Sequence, residues 1–414
     1  MPSVVAWLDH SAEQQRRVRD MLMLMSSHDT VDDLGIGTIR DAISDLLFPG
    51  SSVIQTRARY FLFVPWIYQH FESRRVDLLA KGRDAERQLI GQLLLNDDPD
   101  ELRGVIGRQA GVGLKTLPSA IYWSGLQRFG IFRSPKLALG QYARAVARGT
   151  RPPVFDDEFA ERAQSFWCEL PDPPPGMFDK QQAMSLRLRA DDARWLRDRI
   201  LTSERNGQPY LSTAWIREVA RGGSAPDVAA PWDALPKTAT SDIEELVEHA
   251  RQFSLLVWGV NNLYNVMLVE ARRAKPLASD GDEASVEDYH ENLRRFDDEA
   301  RARNLTAWTA DIDSMWRTLA GRPVENRARS FVDEVAALVA RVGPEAIVAG
   351  HAEMRALIVS REQAKKGSQA RFGNERRLRE YRGYAGTSRL AYRWGVVSDI
   401  VGDIAEGLAS EDGN

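Results

Sequence analysis

The chain has 414 residues, 43% of them hydrophobic and 28% charged, with a formal net charge of −4. That length is roughly two to three domains' worth, and the acidic balance excludes a binder that is basic throughout, so any nucleic-acid role must rest on a local patch. The single cysteine, Cys168, excludes a disulfide framework and a Cys-based zinc cluster, and fits a reducing cytosol.

MPSVVAWLDHSAEQQRRVRD lacks the basic start and continuous apolar core of a secretion signal, so a soluble, cytoplasmic protein is expected. Ser11 with Gln14 reads as a capping box, followed by Val18, Met21, Leu22 and Met25 at helical spacing. Thr38 with Asp41 predicts a second helix bearing the stripe Ile39, Ala42, Ile43, Leu46 and Leu47, stopped by Phe48-Pro49-Gly50. Ser52 with Gln55 predicts that a third opens there and runs through Arg57 and Arg59 into an apolar stretch, YFLFVPWIY.

Helical patterns continue over 84–95, and 117–147 holds two shorter helices. The Pro-rich stretches RPPVF (151–155) and PDPPPG (171–176) predict a domain seam. Beyond it, helices are expected at 183–202, 211–221, 242–273 and 286–303, and a final one carries Leu390, Trp394, Val397, Val401, Ile404 and Leu408. FSLLVWGVNNLYNVMLV (253–269) is too short and too polar for a membrane span and reads as a buried helix. Period-two alternation is nearly absent. The fold class expected is mainly α: a multi-domain helical protein with few short strands. Its parts are an N-terminal helical domain (1–150), a Pro-rich connection (151–180), a middle helical domain (181–340) and a C-terminal helical region (341–414).

Two constellations are candidates for function. Arg57 and Arg59 sit among apolar residues, so at least one needs a buried carboxylate such as Asp41 or Asp45; the other reading is an anion site. The segment 361–393 carries ten Lys or Arg against three acids. Its candidate contacts are Lys365, Lys366, Arg371, Arg376, Arg377, Arg379, Arg382, Arg389 and Arg393. Phe372, Tyr381, Tyr384 and Tyr392 interleave with them, a mixture that suits phosphates and stacked bases. Arg389 and Arg393, one turn apart, suggest a clamp for one anion. The alternative is a face whose arginines pair with the acidic 279–288 loop or with an acidic partner.

No catalytic residue, cofactor or metal is assigned. GRQAGVGLKT (107–116) breaks the phosphate-loop pattern at Leu114, and Glu245 with His249 lacks a third metal ligand. LPSAIYWSGLQRFGIF (117–132) reads as core, with a small helix-turn-helix as the alternative.

LGIGTIRDAISDLLFPGSSVIQTRARYFLFVPWIYQHFE (34–72), LPSAIYWSGLQRFGIF and RGYAGTSRLAYRWGVVSDI (382–400) together resemble an uncharacterised bacterial family, a domain of unknown function. The resemblance implies a setting beside helicases and other DNA-processing proteins in mobile or anti-phage defence clusters, with such proteins as partners. Together these readings lead to an expected non-enzymatic subunit that binds DNA or RNA, or scaffolds, in a DNA-directed assembly. A diverged metal-dependent nuclease and a protein adaptor without DNA affinity are the alternatives.

Overall fold

The computed structural model describes residues 32–72, 74, 76–150, 165–204, 207–275, 277, 281–381 and 383–410. The predicted Ser11–Gln14 cap with its stripe, the 151–155 stretch, residues 279 and 280 of the acidic loop, and Arg382 lie outside them. The helices are α1 (Gly37–Leu47), α2 (Tyr60–Glu72), α3 (Leu78–Leu93), α4 (Pro99–Arg103), α5 (Pro118–Arg128), α6 (Leu139–Ala147), α7 (Ala190–Leu201), α8 (Leu211–Ala220), α9 (Ser241–Arg273) and α10 (Gly281–Ala302). They continue as α11 (Leu305–Ala310), α12 (Ile312–Thr318), α13 (Asn326–Val342), α14 (Glu345–Val348), α15 (Ala352–Lys366), α16 (Glu375–Arg379) and α17 (Trp394–Ala409). Among the described residues there is no strand, and an isolated antiparallel bridge joins Phe132 to Trp167. None of the helices there is long and apolar enough to cross a membrane.

The chain divides into two units, each discontinuous in sequence. One comprises Met1–Ala42 and His249–Leu390; the other comprises Ile43–Glu248 and Ala391–Asn414. The proline-rich stretch 171–176 falls inside the second unit.

In the first unit, α11 and α15 pack on α13, and α14 lies against α10 and α13. The α9–α10 approach depends on Gly259, where a Cβ would stand 2.6 Å from the Phe296 ring. The start of α1 is fixed by Asp32, whose carboxylate accepts from the backbone of Ile36 at 2.7 Å and Gly37 at 2.9 Å. That satisfies amides the helix cannot. The predicted cap, Thr38, instead accepts through Oγ1 from the amide of Glu325.

In the second unit, α17 packs on α7 and α8, and α2 packs on α3 and α5. A Cβ on Gly407 would lie 2.7 Å from that of Ala193, so α17 meets α7 at glycine distance. Nine successive residues of α2, Tyr60 to Tyr68, are buried.

The predicted helix from Ser52 does not form; α2 begins at Tyr60. The reason lies in the backbone partners. The Tyr122 hydroxyl accepts from the amides of Thr56 and Arg57 and donates to the Arg57 carbonyl. The amide of Ala58 donates to Asp403 at 2.7 Å. Side chains distant in sequence thus take the groups an early helical turn would use.

Arg57 and Arg59 therefore precede α2, and neither pairs with Asp41 or Asp45. Arg57 Nε donates to both oxygens of Asp403, at 2.8 and 3.0 Å, and NH2 stands 2.6 Å from Oδ1. Burial pushes the Asp403 carboxyl up, against the opposing pull of Arg57. Arg59 reaches Asp192 at 3.2 Å and the Ser185 carbonyl at 2.9 Å; Asp192 also accepts from Arg189. Both guanidinium groups are thus paired with buried carboxylates of the second unit.

Candidate nucleic-acid or partner interface

The basic segment begins on the last turns of α15, and its first half is built inward. Arg361 is buried, donating from Nε to the Leu34 carbonyl at 2.7 Å and from NH2 to the Gly35 carbonyl at 2.9 Å. Next to it, Glu362 is fully buried and accepts four hydrogen bonds. They come from the Tyr264 hydroxyl (2.7 Å), Lys366 Nζ (3.1 Å) and the amides of Arg371 and Phe372 (3.0 Å each).

Asp33, also buried, completes the cluster. Lys366 Nζ lies 2.5 Å from its Oδ1, and Arg371 NH1 donates to its Oδ2 and to the Tyr264 hydroxyl, each at 2.7 Å. Burial opposes ionisation of Glu362, but the donors from Tyr264, Phe372 and Arg371, with the Lys366 charge, hold its carboxyl below the usual range. Burial first, then the Asp33 charge, drive the Tyr264 phenol far up, so it stays protonated and donates. Lys366 and Arg371 are thus neutralised from within the same unit.

The second half of the segment faces solvent. Gly373 turns the chain at φ 97°, and Asn374 caps α16, its Oδ1 accepting from the Arg377 amide at 3.1 Å. Leu378 is the buried foot of this short helix, while Arg376, with 82% of its side chain exposed, Arg377 and Arg379 project outward. Arg376 and Arg377 share the exposed carboxylate of Glu380, and Lys275 reaches Glu375 at 2.7 Å. Lys365, exposed on α15, lies 4.0 Å from Glu325. Such exposed pairs are worth little and exchange readily for another anion.

The interleaved aromatics do not form a stacking platform. The Phe372 ring meets Tyr264 edge-on, and Tyr381 is buried, donating to Asn265 Oδ1 and sharing a hydrogen bond with Tyr289. Tyr384 donates to Asp288, and Tyr392, in the second unit, is buried beside Trp232. The asparagines of α9 also find their purpose here. Asn265 accepts from the Ala385 amide and donates to its carbonyl, while Asn261 donates to the Gly386 carbonyl. Trp258 holds the Thr387 carbonyl at 2.8 Å. These side chains pin residues 384–387, where Tyr384 itself takes a left-handed φ of 56°.

Arg389 and Arg393 do not form the expected clamp. Arg389 pairs with Glu299 at 2.7 Å in the first unit and lies over the Trp258 ring. Arg393 pairs with Asp45 at 2.7 Å and donates to the Ser51 carbonyl in the second. The left-handed φ values at Tyr392 and Arg393, 52° and 70°, delay the final helix until Trp394. Among the described ion pairs of the basic segment, the carboxylate partners are Asp33, Asp45, Glu299, Glu325, Glu362 and Glu380.

The residues that sequence reasoning missed are Asp33, Glu362 and Tyr264. One signal for Glu362 was available: it is a lone acid four residues before Lys366 in a basic run. Among the described residues, no group of three or more His, Cys, Asp or Glu side chains converges as a metal site would need. His249 Nδ1 accepts from Trp308 Nε1 at 3.0 Å.

A family model described as a family of unknown function (DUF6361) matches residues 2–408. Neither a curated protein nor a solved structure matches the chain.

Proposed function

The chain belongs to the DUF6361 family, and from that premise we propose that it is a non-enzymatic, nucleic-acid-binding subunit of a bacterial DNA-directed assembly serving anti-phage defence, with helicase-type proteins as partners. The observation that carries the reading is α16: three arginines on one exposed, capped turn, balanced only by surface carboxylates. Behind it, Glu362 and Asp33 hold Lys366 and Arg371 and fix the turn that leads into the helix. Exposed guanidinium groups on a rigid mount present donors to phosphate oxygens at little entropic cost. With Tyr381 and Tyr392 buried and Phe372 and Tyr384 engaged by Tyr264 and Asp288, the contact is to the sugar–phosphate backbone and carries no base sequence.

The test is fluorescence anisotropy of labelled single- and double-stranded DNA with the full-length protein at about 50 and about 200 mM salt. Three neutralised phosphates give a slope of about −2.7 in log affinity against log salt, or roughly a 40-fold loss over that range. The expected result is binding with this salt dependence, abolished by the triple change Arg376→Glu, Arg377→Glu, Arg379→Glu. No binding by the unaltered protein, or binding indifferent to the triple change, overturns the proposal. In the former case an acidic protein surface becomes the ligand to seek.

A further inference from the structure

The sequence PDPPPG (171–176) marks no boundary between the two units, which leaves its role open. Four of its residues are proline, so φ is fixed near −65° at 171, 173, 174 and 175. Leu170, Asp172, Pro173 and Pro174 each precede a proline, which drives their ψ into the extended range. The combination dictates a left-handed polyproline II strap with three residues per turn and no internal hydrogen bonds.

The burial pattern agrees over residues 171 to 174, which run half-buried, exposed, exposed, half-buried; the strap then ends in a turn, with the Met177 amide donating to Pro174 O at 3.2 Å, Gly176 at φ 74° and Pro175 exposed at the corner. The edge made by Pro171 and Pro174 lies against the protein, and the other two edges face water. The strap is also pinned from beneath through its carbonyls. Trp66 Nε1 donates to Pro171 O at 2.6 Å, Arg189 NH2 to Asp172 O at 2.6 Å, and Trp195 Nε1 to Glu169 O at 3.0 Å. Two tryptophans and an arginine hold one edge down and leave Pro173 and Pro175 outward.

We propose that this strap is a preformed ligand for a partner protein that reads polyproline II through an aromatic-lined groove. Proline rings fit slots between aromatic side chains, and a strap already ordered by its own fold pays little entropy on binding. Asp172 and Glu169, both exposed, flank the prolines, so the matching groove is bordered by Lys or Arg. This inference stands apart from the basic segment and does not depend on it.

The experiment measures the full-length protein against a panel of isolated SH3-type and WW-type domains by surface-based binding. At least one domain is expected to bind. The double change Pro173→Ala, Pro175→Ala should weaken that binding by at least about tenfold while lowering the thermal midpoint only slightly, since both rings are exposed and the cost is confined to the freed backbone. Asp172→Lys should weaken it severalfold, and the α16 triple change should leave it intact. Failure of every domain to bind, or binding that survives loss of both prolines, overturns the proposal.

Discussion

Two glutamates, each fully buried, have opposite fates in this protein. Glu362, in the first unit, accepts from Tyr264, Lys366 and two backbone amides, and its carboxyl is held below the usual range. Glu86, on α3 in the second unit, accepts from Ser119 Oγ at 3.1 Å, and its Oε1 has no hydrogen-bond partner. Burial pushes that carboxyl up to about 7, only partly opposed by hydrogen bonds from Ser119 and Tyr68 and by the Arg83 charge. The lesson is that burial alone does not decide ionisation. The number and charge of the donors do, and those donors decide whether a buried acid organises its neighbours or merely occupies space.

Removing the organising acid tests the contrast most severely. Glu362→Ala should cost about 3–5 kcal/mol, since it leaves the Tyr264 hydroxyl and two backbone amides without their acceptor in a buried site and removes one of the two carboxylates that Lys366 meets. Urea unfolding measures this, and a loss well under 1 kcal/mol would mean that water already serves these groups. Arg57→Ala in the second unit should cost on the order of 3 kcal/mol by leaving the Asp403 carboxylate uncompensated; an unchanged thermal midpoint would reject the lock.

Glu86 gives the converse result. Its folded pKa is raised above that of the unfolded chain, so its stability contribution is complete below about pH 4.5 and is lost as pH rises through about 7. The loss amounts to about 3 kcal/mol, and Glu86→Gln should remove this pH dependence and leave the variant the more stable protein at about pH 8. Parallel unfolding curves for the two proteins across that range would refute the assignment. For Glu362 the sign is reversed: its stabilisation is present above the unfolded carboxyl pKa and fades as pH falls through the lower folded value. The smallest effect belongs to the surface. The α16 triple change should alter stability by less than about 1 kcal/mol, because its ion pairs are solvated, whatever it does to DNA affinity.

The helices were legible where periodicity and caps agree. The patterns at 211–221, 242–273 and 286–303 correspond to α8, α9 and α10, and the final stripe to α17. Ser52 with Gln55 misled because its signature is local. Gln55 Oε1 does accept from the Ser52 amide, yet Tyr122 and Asp403 claim the next backbone groups from afar. The same limit applied to charge. The basic excess of 361–393 was plain, but which cations face water depended on Asp33 and Glu299, acids remote in sequence. Asparagines inside an apolar helix argued against a membrane span, while the partners of Asn261 and Asn265, the backbone of Gly386 and Ala385, could not be read from spacing.

The Arg57–Asp403 lock spans 346 positions along the chain, and this separation bears on biosynthesis. At a translation rate of about 5–20 residues per second, Arg57 is made roughly 17–70 s before Asp403 exists. Once α7 and α8 have been made, they have no α17 to pack against until the chain has grown past residue 394. The second unit can close only after α17 has been synthesised, so a product that stalls before it would expose an apolar surface to proteases and chaperones.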